Sequence, residues 1–368
     1  MDHASTSPLR PGVAEAMAPW LGAADPGRVH TEGRMARVAL EDARERIAEA
    51  LGCRGGREVV LTSGATEAVA MASWGAIRRT PDGAVLAAAV EHSCVRDWAA
   101  RGGAVVVEPS VDPTGRIEID AVGAALDGPT PVALVNLQWG NHEVGTLQPV
   151  PDVIALCRAA GVLVHVDAAQ AVGRVDFSFR DLDADLVSVS AHKLGGPRGV
   201  GCLLVRRGLR LEPLMVGGAQ ERARRAGLED VAGAVGFATA LEACEPLKEA
   251  EVQHTLTTSV IAALAAAGTE LYTPSSARER LPHIVCLGFH GVEAEPVLLG
   301  LDQAGIAVHS GSSCSSELLE SSPVLEAMGR DGERSLRVSI GWSSTAADVE
   351  AFARALPDVL ARLRALRA

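Results

Sequence analysis

Short apolar runs alternate with helix-period segments through the first 210 residues. This alternation constrains the fold more than any other feature of the chain. The runs are 58–62, 84–90, 104–108, 132–137, 163–167, 186–190 and 201–206, and between several of them lie helical patterns at 66–79, 94–101, 120–126 and 152–160. The runs are continuously apolar rather than alternating, as expected of strands buried on both faces of a mainly parallel sheet covered by helices. Asp112-Pro113-Thr114-Gly115 is a turn by its chemistry. From about Asp230 the pattern changes to helices at 229–245 and 250–266. A strand (284–289), a helix (295–304), a short strand (307–310), a polar loop, a helix around 323–328, a strand (335–340) and a final helix from Ala346 follow. The expected architecture is α/β, a large domain with a mainly parallel seven-stranded sheet plus a smaller α+β domain.

Charge and composition narrow the functional classes. With 34 basic against 46 acidic groups the net charge is −12, which argues against a broad basic face for nucleic acid or anionic lipid but leaves room for a local basic patch. No apolar run approaches the ~20 residues that span a bilayer. The N-terminal MDHASTSPLRPG has neither the basic nor the apolar region of a secretory signal, so a cytoplasmic location is expected. The 7 cysteines lack any CxxC pair, and neither a disulfide framework nor a metal site is expected. Most read as small buried hydrophobes. Cys314 differs: it stands in SGSSCSSE, where small polar neighbours leave a thiol accessible.

Of the 34 basic residues only two are lysines, Lys193 and Lys248. Arginine serves solubility and ion pairing but cannot form a Schiff base, which needs a primary amine with a reachable neutral form. Lys248 lies in a polar helical stretch, whereas Lys193 lies where a strand runs into the glycine-rich loop SAHKLGGPRG.

Ligands of open α/β sheets collect at the carboxyl ends of the strands, and the polar residues there form a coherent set. One strand leads through Ser63-Gly64-Ala65-Thr66 into a helix, whose N-terminal amides and Thr66 hydroxyl suit an anion. Others end in Glu91-His92, Asn141-His142-Glu143, Asp167-Ala168-Ala169-Gln170 and Ser190-Ala191-His192-Lys193. An anion cradle, an imidazole, a carboxylate and a lysine answer the needs of pyridoxal 5′-phosphate (PLP): a held phosphate, an aldehyde partner and an acid for the pyridine nitrogen. A salt bridge from Asp167 to an arginine is the alternative use of that carboxylate.

These segments, taken with DHASTSP, TSGATE, NHEVG, HVDAAQAVG, SGSSCSS and SLRVSIG in order, identify the chain as resembling the cysteine desulfurases of the NifS/IscS type. That group lies in the class V aminotransferases of the fold-type I PLP enzymes. The resemblance implies a homodimer, with a large PLP domain (14–250) and a small domain (1–13 and 251–368) carrying the cysteine loop. It implies catalytic roles for Lys193 as the Schiff-base lysine, Cys314 as the sulfur nucleophile and His92 as the stacking and acid–base group. Ala65, Thr66, Asn141, Asp167, Gln170, Ser190 and His192 would hold the cofactor, with Asn141 and Arg337 binding the substrate. The reaction implied converts L-cysteine to L-alanine and leaves sulfur on Cys314 for an acceptor protein.

Four positions depart from the family pattern. Leu228 replaces a threonine that reaches the phosphate of the other subunit's cofactor, His142 and Ala169 replace more usual polar residues, and Trp342 replaces an arginine found in some members. Another class V activity (selenocysteine lyase, C–S lyase or aminotransferase) and a silent scaffold are the alternatives. A nicotinamide-binding protein fits poorly, because no GxGxxG follows the first strand.

Overall fold

The computed structural model describes residues 1–265, 267–310 and 321–366. Its centre is a seven-stranded sheet in the order β1-β7-β6-β5-β4-β2-β3. The strands are β1 (Val59–Thr62), β2 (Ala84–Leu86), β3 (Val106–Val107), β4 (Val132–Gln138), β5 (Leu163–Asp167), β6 (Leu186–Ser190) and β7 (Gly201–Val205). β3, β2, β4, β5 and β6 pair in parallel, while β7 runs antiparallel to both β6 and β1. The expected α/β class with a mainly parallel seven-stranded sheet is therefore what forms. Val135, Val166, Val187 and Leu204 are buried completely, which explains the continuous apolar runs.

Several expected strands are shorter than their apolar runs, among them 104–108, of which only Val106–Val107 pairs. The run from Ala84 leaves the sheet after Leu86, and a turn closed by Glu91 N–H to the Ala88 carbonyl (2.9 Å) brings His92 to the head of the next helix. Among the described residues the run 307–310 makes one bridge, His309 to Arg337. A 20-residue helix, Thr31–Ala50, is absent from the sequence-based reading. Its buried stripe (Ala36, Leu40, Ala43, Ile47) is half alanine and is interleaved with arginine and glutamate, so its apolar signal is weak.

A second sheet, β10-β9-β8, is antiparallel and comprises β8 (Thr269–Leu271), β9 (Ile284–Phe289) and β10 (Ser335–Ser339). Leu256 of helix Pro246–Ala265 and Phe352 of helix Ala346–Ala365 share its apolar cluster with Leu287 and Val338. The N-terminal segment ties the two sheets together. Asp2 bridges to Ser339, while the amides of Ser7 and Arg10 donate to the carbonyls of His192 and Gly195 (3.0 and 2.8 Å). Among the described residues no helix is long and apolar enough to cross a membrane.

The charged core rests on one ion pair. Arg44, from the long N-terminal helix, forks onto Glu221 at 2.6 and 2.7 Å, and the same carboxylate accepts the Leu61 amide of β1 at 2.9 Å. Both side chains are almost wholly enclosed. Glu221 opens a turn in which three consecutive residues, Glu221, Arg222 and Ala223, have φ of 48, 58 and 60°. L-residues resist this region by roughly 1–2 kcal/mol each, so the ion pair holds a strained turn against the sheet. Arg44→Met leaves the Glu221 carboxylate buried and unpaired, and should lower unfolding free energy by about 3–5 kcal/mol. Ala223→Gly should raise it by about 1 kcal/mol. Chemical denaturation checks both.

Candidate active site

Parallel pairing puts the carboxyl ends of β4, β5 and β6 on one edge, and the ends of β1 and β2 arrive there too. The loops leaving these ends enclose a cavity of about 550 Å³. Ser63, Gly64, Ala65 and Thr66 form one wall, where β1 turns into helix Ala65–Arg79 with its first amides facing the space. The entry is tight: a Cβ on Gly201 of β7 would lie 2.8 Å from the Gly64 Cα, so two glycine backbones pass where no side chain fits. Glu67 caps the loop by accepting the Ser63 amide (2.6 Å). It is in turn held by Arg225 Nε at 2.8 Å, which keeps its pKa low although burial opposes this.

Lys193 enters from the loop after β6, where its own carbonyl accepts the Ser7 hydroxyl and Arg174 Nη2. Burial lowers the pKa of its amine, Asp167 opposes that shift, and Arg337 adds to it. The neutral amine that carbonyl chemistry requires is thereby brought nearer to neutral pH. Asp167 takes the Ala169 amide (3.0 Å) and the Ser188 hydroxyl (3.1 Å) on Oδ1. Both bonds fix the carboxylate while Oδ2 remains for a ligand. Beneath it His165 is fully buried and donates from Nδ1 to Asn136 at 2.9 Å. His283 presents Nε2 to Gln170 Oε1 at 3.2 Å, which orients the amide so that Nε2 donates to the Ala4 carbonyl (2.9 Å) with one N–H to spare. Ser190 and His192 line the same space, and burial beside Lys193 drives His192 down to about 4, so its ring is neutral.

His92 has a fixed tautomer. It is the N-cap of helix Ser93–Arg101, and its Nδ1 accepts the Cys94 amide at 3.2 Å, so the neutral ring carries its proton on Nε2. Its ring centre lies 5.1 Å from that of His142, which also lines the cavity. His142 Nε2 stands 3.5 Å from the carboxylate of Glu143, and both residues are buried.

Asn141, expected to touch cofactor and substrate, is not among the residues that line the cavity. Asn141 is completely buried behind the cavity wall, where its oxygen accepts the amides of Glu143 and Val144 (2.8 Å each) and its nitrogen donates to Val90 O (3.1 Å). It shapes the turn that presents its neighbour, and the residue facing the cavity is His142. Arg337 reaches the wall from β10 with its guanidinium already engaged: Nη1 donates to the His142 carbonyl (2.9 Å), and Nη2 to Asp2 (3.0 Å) and Ser5 (2.9 Å). Its Nε is buried without a partner among the described residues, as is Thr6 Oγ1 on the same wall. Cys314 lies outside the described residues.

These residues fit PLP. The orphaned Thr6 hydroxyl and Arg337 N–H, the second oxygen of Asp167 and the first amides of helix Ala65–Arg79 are a polar lining without protein partners among the described residues. Thr6, Cys94 and Arg198 line the cavity without having been singled out from the sequence. Thr6 and Arg198 carry a legible signal, as parts of the DHASTSP and SAHKLGGPRG motifs.

A family model for aminotransferase class V matches residues 1–352. A cysteine desulfurase of Enterobacter agglomerans is 36% identical over 380 residues, covering 100% of this chain and 93% of that protein. The chain belongs to the cysteine desulfurases. An IscS-like cysteine desulfurase of Mycobacterium tuberculosis is 38% identical, with 99% and 96% of the two chains covered. Among solved structures, a NifS-like protein superposes with a TM-score of 0.90 at 30% identity (98% and 99% covered). SspA in complex with cysteine gives 0.79 at 28% identity (92% and 97% covered).

Two of this desulfurase's departures from its family have a structural account. Trp342 donates from Nε1 to the Pro8 carbonyl (3.1 Å) and stacks under the Arg10 guanidinium, clamping the N-terminal segment over the Lys193 loop. Ala169 serves through its amide alone, which Asp167 accepts.

His165 also sets an acid limit. Burial lowers it from an ordinary 6.5 to about 4, with Asp167 opposing. Between those values the unfolded chain takes up a proton that the native core refuses, so stability is full above about 6.5 and falls as pH drops towards 4. The denaturation midpoint should decline across that window, and less steeply in His165→Leu. Denaturant titrations at pH 7.5, 6 and 5 check this.

Proposed function

We propose that this desulfurase binds PLP on Lys193, uses L-cysteine as substrate and passes its sulfur through Cys314 to an acceptor protein. The observation that carries this reading is the convergence of the Lys193 amine, the Asp167 carboxylate, three imidazoles and the Arg337 guanidinium on one cavity. PLP, when bound, supplies an electron sink for the pair released at the substrate Cα.

The residues have the following roles. The amides of Ala65 and Thr66, with the hydroxyls of Thr66 and Ser190 and the neutral ring of His192, hold the phosphate. Asp167 Oδ2 holds the proton of the pyridine nitrogen, and the spare N–H of Gln170 donates to the ring oxygen. Lys193 is the point of attachment and carries the proton removed from the substrate Cα. Arg337 receives the substrate carboxylate through Nε, with the edge now held by Asp2 and Ser5 open to exchange. His92 presents an N–H to the cavity, so it donates and stacks. His92 is the acid–base group beside the attacking sulfur, and His142, 3.5 Å from the Glu143 carboxylate, stands next to it. The Cys314 thiolate attacks the substrate sulfur as the Cβ–S bond breaks; the electron pair stays on Cβ, which takes up a proton as alanine leaves, and Cys314 keeps the sulfur as a persulfide.

We also infer a cytoplasmic homodimer, with 14–250 and 1–13 plus 251–368 as its two domains. Exposed Leu21, Val29, Met35 and Val38 along one side of the N-terminal region support a subunit contact there. Leu228, which is well exposed, would then offer the partner's phosphate no hydroxyl.

Cys314→Ser tests the central claim. The serine hydroxyl is a poor sulfur nucleophile at neutral pH, and the cofactor residues are untouched. This variant should bind PLP and change its visible spectrum on addition of L-cysteine, yet release no alanine and carry no persulfide by mass spectrometry. An ordinary aminotransferase or C–S lyase would keep its turnover.

A further inference from the structure

Among the described cysteines Cys94 alone lines the active-site cavity, and the reaction leaves it without a task. The others are shut away. Burial pushes Cys53 and Cys157 up to about 12 and Cys244 to about 11, while Cys202 and Cys286 are completely buried. Such thiols stay protonated and inert. Cys94 is only half-buried.

The setting of Cys94 suits a reactive sulfur. Its Sγ lies 3.1 Å from His92 Nδ1, the nitrogen left without a proton by the cap, so the thiol hydrogen has an acceptor. It stands in the first turn of helix Ser93–Arg101, where a persulfide anion would face the positive end of the helix. Burial lowers the Lys193 pKa, and Asp167 and Cys94 are the charges that oppose it, which puts the sulfur within electrostatic reach of the amine. The cavity also calls for a ligand. Arg337 is 1% exposed, yet its Nε has no partner among the described residues, and it lines the same space as Cys94.

We propose that Cys94 is a second sulfur carrier, which takes sulfane sulfur from Cys314 inside the cavity and stores it there. The inference rests on the Cys314 persulfide proposed above. The outer atom of that persulfide is the one that came from substrate in the cavity, so it is the atom presented to Cys94. The Cys94 thiolate attacks it, and a bond forms between Cys94 Sγ and the outer sulfur. The bond from that sulfur to Cys314 Sγ breaks, and its electron pair leaves on Cys314. The proton of the Cys94 thiol passes to His92 Nδ1 and ends on the Cys314 thiolate. One persulfide and one thiol are consumed and one of each is formed, so neither oxidant nor reductant is required. Cys314 is then free to take sulfur from a second substrate.

The test uses the PLP-loaded protein and L-cysteine isotopically labelled in sulfur, without reductant or acceptor. Alkylation, tryptic digestion and mass spectrometry follow. Arginines between Cys94 and Cys314 place them in separate peptides, and in the wild type both should carry labelled sulfane sulfur. Cys314→Ser should leave Cys94 unlabelled. Cys94→Ala should keep label on Cys314 while the initial burst of alanine falls by half. The wild-type peptides are read without any variant, so a folding defect in Cys94→Ala does not remove the test. Label on Cys314 alone overturns this proposal and leaves the desulfurase mechanism standing. An unchanged burst in Cys94→Ala, label on Cys94 in Cys314→Ser, or a disulfide joining the two peptides overturns it as well. Absence of label from both cysteines overturns the Cys314 persulfide and this proposal with it.

Discussion

Parallel pairing is the constraint on which the rest of this structure depends. Once β2, β4, β5 and β6 run in the same direction, their carboxyl-end loops have to meet at one edge. Groups that lie far apart in the chain, such as His92 and Lys193, then share one cavity. The antiparallel β7 adds a second condition. It returns the chain along β6 and meets β1 at Gly201, so the anion-binding loop sits directly beside the lysine loop. Both contacts rely on glycine at the crossing, because the backbones approach too closely for a Cβ.

Order in the cavity comes from capping and bracing rather than from contacts among the reactive groups. His92 is held as a helix N-cap, Asp167 by an amide and a hydroxyl, and Gln170 by a buried histidine. The Lys193 carbonyl is gripped from both sides. Such fixed dipoles cost no reorganisation when charge develops, which is where preorganised sites gain most. The cap also fixes the tautomer of His92.

Much of this was legible in the sequence, and the exceptions are informative. Strand ends, the rarity of lysine and the motif order carried the fold and most of the cavity. Asn141 lies behind the cavity wall while its neighbour His142 lines it, because turn geometry decides which neighbour faces inward and a spacing argument cannot resolve adjacent residues. The helix Thr31–Ala50 went unread because alanine marks its buried face weakly. The occupied state of Arg337 was also hidden: its partners Asp2 and Ser5 lie more than 300 residues away in the chain, and no local pattern reports such a bond.

The scarcity of lysine also changes how the chain can be cut. Only two bonds follow a lysine, and Lys248 sits on an exposed helical turn next to Glu245. The other lies in the braced loop beneath the N-terminal segment, closed to a protease while the cavity is intact. A lysine-specific protease would therefore meet one accessible target, close to the expected junction of the two domains. Cleavage after Lys193 would act as a clock for the opening of the active-site loop, separable by fragment size from cutting at the hinge.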